Sequence, residues 1–193
     1  MVQKNKKEWV LEMSRYIGAY FASKQFAVMR EVTVNLPCRT DRLKHYRPGQ
    51  YRLDIVGSNR KLDIVIVETK SCKSDFNSDE KWKAYLPICN RFYFAADEDT
   101  AGFIAETVKR MRLPQVGVIA VSNRKTGIIL DNVRIIRPSR IKEHCMDERE
   151  LLWRMAARGS GFDFRGRFFT GNSFETRVDF WPLCLINKND PVE

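Results

Sequence analysis

The stretch that most constrains this sequence is an apolar strand-like run that ends in three polar residues. Leu62 and the β-branched run Ile64–Val67 predict a strand buried on both faces, and Glu68, Thr69 and Lys70 follow directly. Because residues two apart on a strand point to the same side, Glu68 and Lys70 share a face and Thr69 opposes them. Two charged groups at the end of a buried strand need partners, since isolated buried charges are costly.

A second predicted strand brings another acid to the same place. The segment Arg52–Val56 precedes the turn-like Gly57–Arg60, so the two strands form a predicted hairpin that lays Asp54 beside Glu68. Asp54, Glu68 and the Thr69 carbonyl offer hard oxygen ligands suited to Mg²⁺ or Mn²⁺. Lys70 would orient or help deprotonate a water molecule, or stabilise transition-state charge. These are the parts of a metal-dependent phosphodiesterase site. A buried ion pair with only a structural role is the alternative.

These residues carry a resemblance to a known group of enzymes. Asp54 followed by Glu68-x-Lys70 resembles the D…(D/E)xK signature of the PD-(D/E)XK nuclease superfamily. The block Asp75-Phe76-x-x-Asp79-x-Lys81-Trp82-x-x-Tyr85, followed by Cys89-x-Arg91-Phe92-Tyr93-Phe94-Ala95, resembles more narrowly the MmcB-like bacterial family, which is associated with DNA repair. The resemblance covers about residues 8–158. It implies an α/β fold with a restriction endonuclease-like core, in which helices flank a central mixed β-sheet, and a DNA endonuclease activity.

The resemblance also implies supporting residues around the site. Members of the superfamily often place an additional acid on the first helix, and Glu12 is the candidate ligand here. A solvated glutamate at the edge of the helix is the alternative. Asp75 and Lys81 match positions that the family retains near the site, where they would orient Lys70 or a phosphate. Two features depart from the family: a basic insertion around Thr40–Gly49, and a tail after Arg158.

Charge is distributed in a way that indicates a polyanionic partner. Of the net charge of +10, residues 1–50 carry +6, residues 51–108 carry −2 and residues 109–142 carry +8. Basic segments on both sides of an acidic one would hold DNA over a cation-binding site, although general solubility is an alternative. The candidate nucleic-acid-binding residues are Arg39, Arg42, Lys44, Arg47, Arg52 and Lys73. The first four lie in a predicted loop before Arg52 that could equally be a solvated insertion.

The remaining elements follow from hydrophobic periodicity. Residues 8–21 predict a helix, and the alternation from Val28 to Leu36 predicts a strand, with Glu31 on its other side. A helix capped by Asn77 or Ser78 should extend to about Leu86. Further predicted elements are a strand at 91–95, a helix at 97–110, a strand at 116–121, a hairpin of 127–130 with 133–136, and a helix at 140–158.

The chain divides into a nuclease-like domain over residues 1–158 and an extension over residues 159–193. The extension mixes seven phenylalanines and tryptophans with glycines and arginines, but it has a net charge of −1. Stacking on single-stranded nucleic acid is one interpretation, and packing against the domain, a second copy or a protein partner is the other. Five scattered cysteines and no long apolar run predict a reduced, cytoplasmic protein without a membrane span, and no feature indicates a small-molecule cofactor.

The sequence therefore predicts a Mg²⁺- or Mn²⁺-dependent DNA endonuclease for DNA repair, recombination, or the processing of phage or mobile-element DNA. The alternative is a DNA-binding or partner-binding module that keeps the nuclease fold without cutting. A protein whose tail mediates assembly or inhibition, as in a phage or mobile element, is a third interpretation.

Overall fold

The computed structural model describes residues 5–36, 49–122 and 129–141, and it has a six-stranded mixed sheet with helices on both faces. The elements in chain order are α1 (Lys6–Ser23), β1 (Ala27–Leu36), β2 (Gly49–Ser58), β3 (Ile64–Thr69), α2 (Lys73–Ser78), a 3₁₀ helix (Lys81–Ile88), β4 (Arg91–Asp97), α3 (Glu98–Arg110), β5 (Val116–Val121), a second 3₁₀ helix (Ile129–Asn132) and β6 (Val133–Arg137).

Spatial order in the sheet follows chain order from β1 to β6. The pairs β1–β2, β2–β3 and β5–β6 are antiparallel, whereas β3–β4 and β4–β5 are parallel. Parallel neighbours need a crossover connection, which α2 with the first 3₁₀ helix supplies for one pair and α3 for the other. All six residues of β3 and all six of β5 are buried. The predicted α/β fold is confirmed, and it is consistent with a restriction endonuclease-like core.

Two hydrophobic cores lie on opposite faces of the sheet. On one face, α1 packs Met13, Ile17 and Phe21 against Val65 and Val67 of β3. This spacing of four residues presents one side of the helix to the sheet. The other face is covered by α3, α2 and the first 3₁₀ helix, and this core contains Phe76, Trp82, Tyr85, Ile104, Ile64, Ile66, Phe92 and Phe94. By strand alternation, Glu68 and Lys70 continue the face of Ile64 and Ile66.

The β1–β2 ribbon changes its side-chain pattern beside the predicted site. Val28 enters the core under α1, but Val32 and Val34 enter the opposite core, so the predicted single face of β1 is wrong. Glu31 lies between them with φ of 52°, a left-handed conformation that is uncommon outside glycine. The strand pairs Arg30–Ile55 and Val32–Leu53 flank this residue and Asp54. A backbone irregularity therefore lies across from the first acid of the site.

Three predicted helix and strand boundaries are also wrong. Asn77 and Ser78 close α2 instead of capping a longer helix, because the extended backbone of Asp79 (φ −94°, ψ 121°) separates α2 from the 3₁₀ helix. Leu62 is exposed, with φ of 63°, and belongs to the turn before β3. In the same way, Gly49 to Tyr51 belong to β2 and not to the preceding loop.

The predicted hairpin near the end of the described chain is replaced by a different pairing. Residues 129–132 form a 3₁₀ helix, and β6 pairs with β5, with Val133 opposite Val121. Residues 37–48, 123–128 and 142–193 lie outside the described part, and so do the predicted basic loop, the helix after Ile141 and the extension over residues 159–193. Among the described helices, none is long and apolar enough to cross a bilayer.

Candidate active site

The hairpin of β2 and β3 brings the two predicted acids to neighbouring positions. Ile55 pairs with Val67, so the next two positions, Asp54 and Glu68, are adjacent where the pairing of β2 with β3 ends. Oδ2 of Asp54 accepts hydrogen bonds from the backbone N–H of Thr69 at 2.8 Å and from its hydroxyl at 2.6 Å. Both bonds that Asp54 accepts in the described structure end on Oδ2. This leaves Oδ1 for another ligand.

Lys70 is held between two carboxylates. Its Nζ lies 3.3 Å from Oε1 of Glu68 and 2.5 Å from Oδ2 of Asp79. The same nitrogen lies 5.9 Å from the ring centroid of Phe94. The exposed fractions of the Lys70 and Glu68 side chains are 3% and 12%. Because the backbone N–H of Lys70 also donates to the carbonyl of Ala95 at 2.8 Å, both ends of this residue are fixed.

Glu68 carries an unsatisfied buried oxygen. Its Oε2 is buried and has no hydrogen-bond partner within the described residues. Burial raises the pKa of Glu68 to about 8, and the negative charges of Asp54 and Asp79 add to this effect, while Lys70 opposes it. A buried acceptor without a partner is costly, so this oxygen would gain from a proton or a bound cation. The donor set therefore fits a hard divalent cation.

The charge of Lys70 is stabilised by its neighbours. Burial alone would lower the pKa of Lys70, but the negative charges of Glu68 and Asp79 and the hydrogen bond to Asp79 raise it above its ordinary value. The ammonium group is therefore positively charged at neutral pH, and it is a poor proton acceptor. Its chemistry in this position is that of a fixed positive charge.

Asp79 contacts the candidate site, a role that the sequence pattern did not predict. It lies between α2 and the 3₁₀ helix, its side chain is 14% exposed, and its second oxygen, Oδ1, accepts the backbone N–H of Lys81 at 2.8 Å. The available signal was its place in the Asp75–Tyr85 block that carries the family resemblance. Lys81 itself has an exposed side chain, so it supports Lys70 through its backbone and Asp79.

Asp75 stabilises the turn that follows Lys70. Its Oδ2 accepts hydrogen bonds from the backbone N–H of Ser71 at 3.0 Å and from the Ser71 hydroxyl at 2.6 Å. Burial tends to raise the pKa of Asp75, but these bonds and the charges of Lys70 and Lys6 outweigh it and lower the pKa. Asp75 thus acts on the backbone next to Lys70 and on its charge, without a direct hydrogen bond to Nζ.

The structure does not bring Glu12 into this cluster. Its Oε1 accepts a hydrogen bond from the Tyr16 hydroxyl at 2.6 Å, and α1 covers the face of the sheet opposite to Glu68 and Lys70. Throughout residues 5–36, 49–122 and 129–141, no group of three or more His, Cys, Asp or Glu side chains could hold a metal ion. A ligand role for Glu12 stays a prediction.

Two of the six predicted DNA-binding residues are described. Arg52 is exposed on β2 opposite Thr33, and Lys73 is exposed at the start of α2, with its Nζ 5.5 Å from the Phe103 ring centroid. Arg39, Arg42, Lys44 and Arg47 lie outside the described residues. Lys6, which the sequence did not single out, places another positive charge near the start of α2, because its Nζ lies 3.6 Å from Sγ of Cys72.

Comparison with known proteins gives a family and a related fold. No curated protein matches the chain. A solved structure, the SPO1766 protein of unknown function from Silicibacter pomeroyi, is similar with a TM-score of 0.52 and 20% identity, and the match covers 78% of this chain and 86% of that one. This similarity concerns the fold alone. The family described as DNA repair protein MmcB-like matches residues 2–107, more than half of the sequence. The chain therefore belongs to the MmcB-like family of DNA repair proteins.

Proposed function

We propose that this protein is a metal-dependent nuclease that hydrolyses DNA phosphodiester bonds in repair, recombination or the processing of phage or mobile-element DNA. The observation that carries this proposal is the buried, unpartnered Oε2 of Glu68, which lies beside a second carboxylate and a fixed ammonium group. A purely structural ion pair would not leave one of its oxygens buried without a partner. Membership in a DNA repair family supports DNA as the substrate.

The cation would be held by Asp54, by Glu68 and by the Thr69 carbonyl. Mg²⁺ usually keeps several water ligands and takes only one or two carboxylates from a protein, so Asp54 and Glu68 are sufficient in number. When bound, Mg²⁺ or Mn²⁺ would polarise the phosphate and lower the pKa of a water molecule. Asp54 is oriented for this role because Thr69 holds one of its oxygens.

Lys70 would place a positive charge next to the phosphate during the reaction. Phosphodiester hydrolysis builds negative charge on the phosphate oxygens, and a preorganised cation stabilises that charge without reorganisation. Glu68, once it is ionised, and Asp79 keep Lys70 protonated, which favours this electrostatic role over proton abstraction. Of the roles that the sequence left open for Lys70, charge stabilisation and orientation of water are the ones that its surroundings support.

The direct test is a nuclease assay with purified full-length protein on labelled single-stranded, duplex, nicked and branched DNA and on RNA, in Mg²⁺, Mn²⁺ or EDTA. Asp54→Asn, Glu68→Gln and Lys70→Ala should each lower cleavage by at least about a thousandfold, because each removes a charge that acts in the transition state. Asp63→Asn is the matched control. Asp63 flanks the other end of β3, where its Oδ2 accepts a hydrogen bond from Asn59 at 2.9 Å.

The variants distinguish DNA cleavage by this protein from cleavage by a contaminating nuclease. Cleavage that survives Glu68→Gln and Lys70→Ala, with folding intact by circular dichroism, would contradict the proposed site. Cleavage that Asp63→Asn abolishes as strongly as the others would point to general loss of structure.

A second candidate function is a DNA-binding or partner-binding module without catalysis. The absence of a third acidic, His or Cys ligand among the described residues favours it, since many metal-dependent hydrolases use three. Titration calorimetry with Mn²⁺ distinguishes the two. A nuclease should bind Mn²⁺ in a way that Glu68→Gln removes, whereas a pure binding module should bind DNA without such a metal site.

A further inference from the structure

The most basic segment of the sequence supplies no residue to the candidate active site. Residues 109–142 have a net charge of +8, and Asp131 is their only acid. Strands β4 and β5 are parallel and begin at the same edge of the sheet, whereas the candidate site stands at the end of β3, towards the opposite edge. Helix α3 leads directly into β5, and β6 ends with Arg137 opposite Val118. Both α3 and β6 therefore end at the edge where β4 and β5 begin.

Hydrogen bonds hold the chain after β6 across the beginnings of β4 and β5. The hydroxyl of Ser139 donates to the carbonyl of Gln115 at 2.7 Å and accepts the backbone N–H of Phe92 at 3.3 Å. The backbone N–H of Arg140 donates to the carbonyl of Pro114 at 3.0 Å. The basic residues beside these contacts and at the end of α3 form a group that we call the basic edge: Arg91, Lys109, Arg110, Arg112 and Arg140.

The positive charge of the basic edge is not balanced by acids around it. All of its residues except Arg91 are exposed, and none of the five pairs with a carboxylate of another described residue. Asp131 precedes β6 and so lies at the other end of β5, where Val133 is opposite Val121. Like charges held close together repel one another, so a bound polyanion would stabilise the basic edge.

Arg112 carries its charge at a backbone position that normally holds glycine. The end of α3 is a Schellman motif, in which the backbone N–H of Arg112 donates to the carbonyl of Lys109 at 3.1 Å. The second bond of the motif joins the backbone N–H of Leu113 to the carbonyl of Val108 at 3.3 Å. The motif needs a residue in the left-handed conformation, and Arg112 has φ of 55°. Glycine adopts this conformation without steric cost and arginine does not, so the arginine lowers stability at a position where its side chain has another use.

We infer that the basic edge binds the phosphate backbone of duplex DNA, with Arg112 and Arg140 in contact with phosphate oxygens. The planar guanidinium group suits this role, because it donates two parallel hydrogen bonds to a phosphate. Membership in a DNA repair family supports DNA as the polyanion. The inference adds a binding surface to the proposed function and does not depend on catalysis.

The basic edge is separated from the scissile phosphate of the proposed reaction. Glu68 is level with Val118, because β3 pairs with β4 and β4 with β5. Arg140 is held beside Pro114, which precedes Val118 by four positions in the chain. Strand spacings place Pro114 roughly 15 Å from Glu68. The basic edge should therefore contact phosphates that flank the scissile one, and it should affect DNA binding without affecting the chemical step.

The test measures binding of a labelled DNA duplex by the full-length protein, using fluorescence anisotropy in Ca²⁺ over a range of salt concentrations. Arg112→Gln and Arg140→Gln should each raise Kd on the order of 5-fold, because each removes one contact to a phosphate. Each should also reduce the slope of log Kd against log salt concentration by about 1, since one fewer counterion is released. Arg15→Gln is the control, because Arg15 is exposed on α1 and the variant loses the same charge. Its Kd should stay within about twofold of wild type.

Two further substitutions of Arg112 separate DNA binding from folding. Arg112→Gly relieves the left-handed strain, so its Tm should rise by about 2 to 4 °C, yet it should weaken DNA binding as much as Arg112→Gln does. Arg112→Lys keeps both the charge and the strain, so it should keep the salt dependence of the wild type. A variant that is more stable than wild type cannot lose DNA binding through misfolding. Wild-type affinity in Arg112→Gly would therefore contradict the contact.

The outcomes separate this inference from the proposed function. Equal Kd and equal salt dependence in wild type, Arg112→Gln and Arg140→Gln would overturn the inference, and the basic edge would then fit an acidic protein surface instead. Duplex binding that both variants weaken, by a wild type that cleaves no DNA, would support the inference and contradict the proposed nuclease. Where the wild type cleaves DNA, Arg112→Gln should raise KM and leave kcat within about twofold. A wild type that does not bind duplex DNA would overturn both.

Discussion

The two ends of β3 differ in how completely their polar groups are satisfied. At its beginning, Oδ1 of Asn59 accepts the backbone N–H groups of Lys61 and Asp63 at 2.9 and 3.0 Å, and its Nδ2 donates to Asp63 at 2.9 Å. Asn90 accepts the backbone N–H of Ile64 at 2.7 Å. At its end, Glu68 is buried with one oxygen unpartnered among the residues described. The beginning of β3 thus stabilises the turn, whereas its end contains a buried carboxylate oxygen that a bound cation would stabilise.

This contrast separates stability from function within one strand. The hydrogen bonds at the beginning of β3, most of which join neutral groups, each contribute about 1 kcal/mol to folding and do no chemistry. The charged end of β3 costs free energy in the absence of a ligand, and such costs are typical of sites where binding or catalysis depends on them. Substitutions at the two ends should therefore have opposite consequences for stability and activity.

After the substitutions of Glu68 and Lys70 themselves, the largest effect that would test this contrast is expected at Asp79. Asp79→Asn removes the 2.5 Å ion pair that holds Lys70, so the ammonium group should move towards Glu68. We expect kcat for DNA cleavage to fall on the order of 100-fold, with a smaller change in KM, because the lost interaction acts in the transition state.

Glu80→Gln is the control for Asp79→Asn. Glu80 is the next residue, its side chain is 73% exposed, and it pairs with Lys83 at 3.1 Å on the surface. Steady-state kinetics of both variants gives the answer. Equal kcat in Asp79→Asn and wild type would show that Asp79 does not position Lys70 for the reaction.

The neighbouring positions of Asp54, Glu68 and Lys70 follow from the sequence because they depend on local rules. Alternation along β3 puts Glu68 and Lys70 on one face, and the short turn before β3 fixes the register that brings Asp54 alongside. The alternating pattern of the sheet and the amphipathic pattern of α1 give the fold class for the same reason. The metal-ligand roles of Asp54 and Glu68 and the catalytic role of Lys70 stay predictions. The same is true of the ligand role of Glu12 and of DNA binding by the basic residues at 39–47.

The features that the sequence could not predict depend on single backbone angles. Asp79 reaches Lys70 because its extended backbone interrupts the helical segment, whereas the pattern of polar and apolar residues predicts one continuous helix there. Glu31 adopts a positive φ that no residue pattern encodes, and Val32 and Val34 change sides as a result.

A smaller effect is expected on the pH dependence of stability. The pKa of Glu68 is raised from 4.5 to about 8 in the folded protein, so between these values the unfolded chain has lost a proton that the folded protein keeps. The metal-free protein should therefore lose stability as the pH rises across this window, by at most about 1.4 kcal/mol per pH unit from this group. Above it, Glu68 is ionised in both states and its contribution stays constant.

Urea unfolding in EDTA between about pH 5 and pH 8 measures this slope. In Glu68→Gln the side chain at position 68 cannot ionise, so the free energy of unfolding should fall less steeply as the pH rises. Near the upper end of this pH range the variant should be more stable than wild type. Mg²⁺ should flatten the wild-type slope, because it stabilises the ionised carboxylate, and should leave Glu68→Gln unaffected. Parallel slopes in the two proteins would show that Glu68 is ionised throughout.

The smallest effect is expected at the beginning of β3. Asn59→Ala removes a side chain that accepts two backbone N–H groups and donates to Asp63, so the free energy of unfolding should fall by about 1 to 2 kcal/mol. The cleavage rate per folded molecule should stay at the wild-type level, because the turn touches neither Glu68 nor Lys70. Urea unfolding and the nuclease assay, run on the same preparation, measure both quantities. If Asn59→Ala lowered kcat as much as Asp79→Asn does, the two ends of β3 would be coupled, and the division of the strand into a stabilising end and a functional end would be wrong.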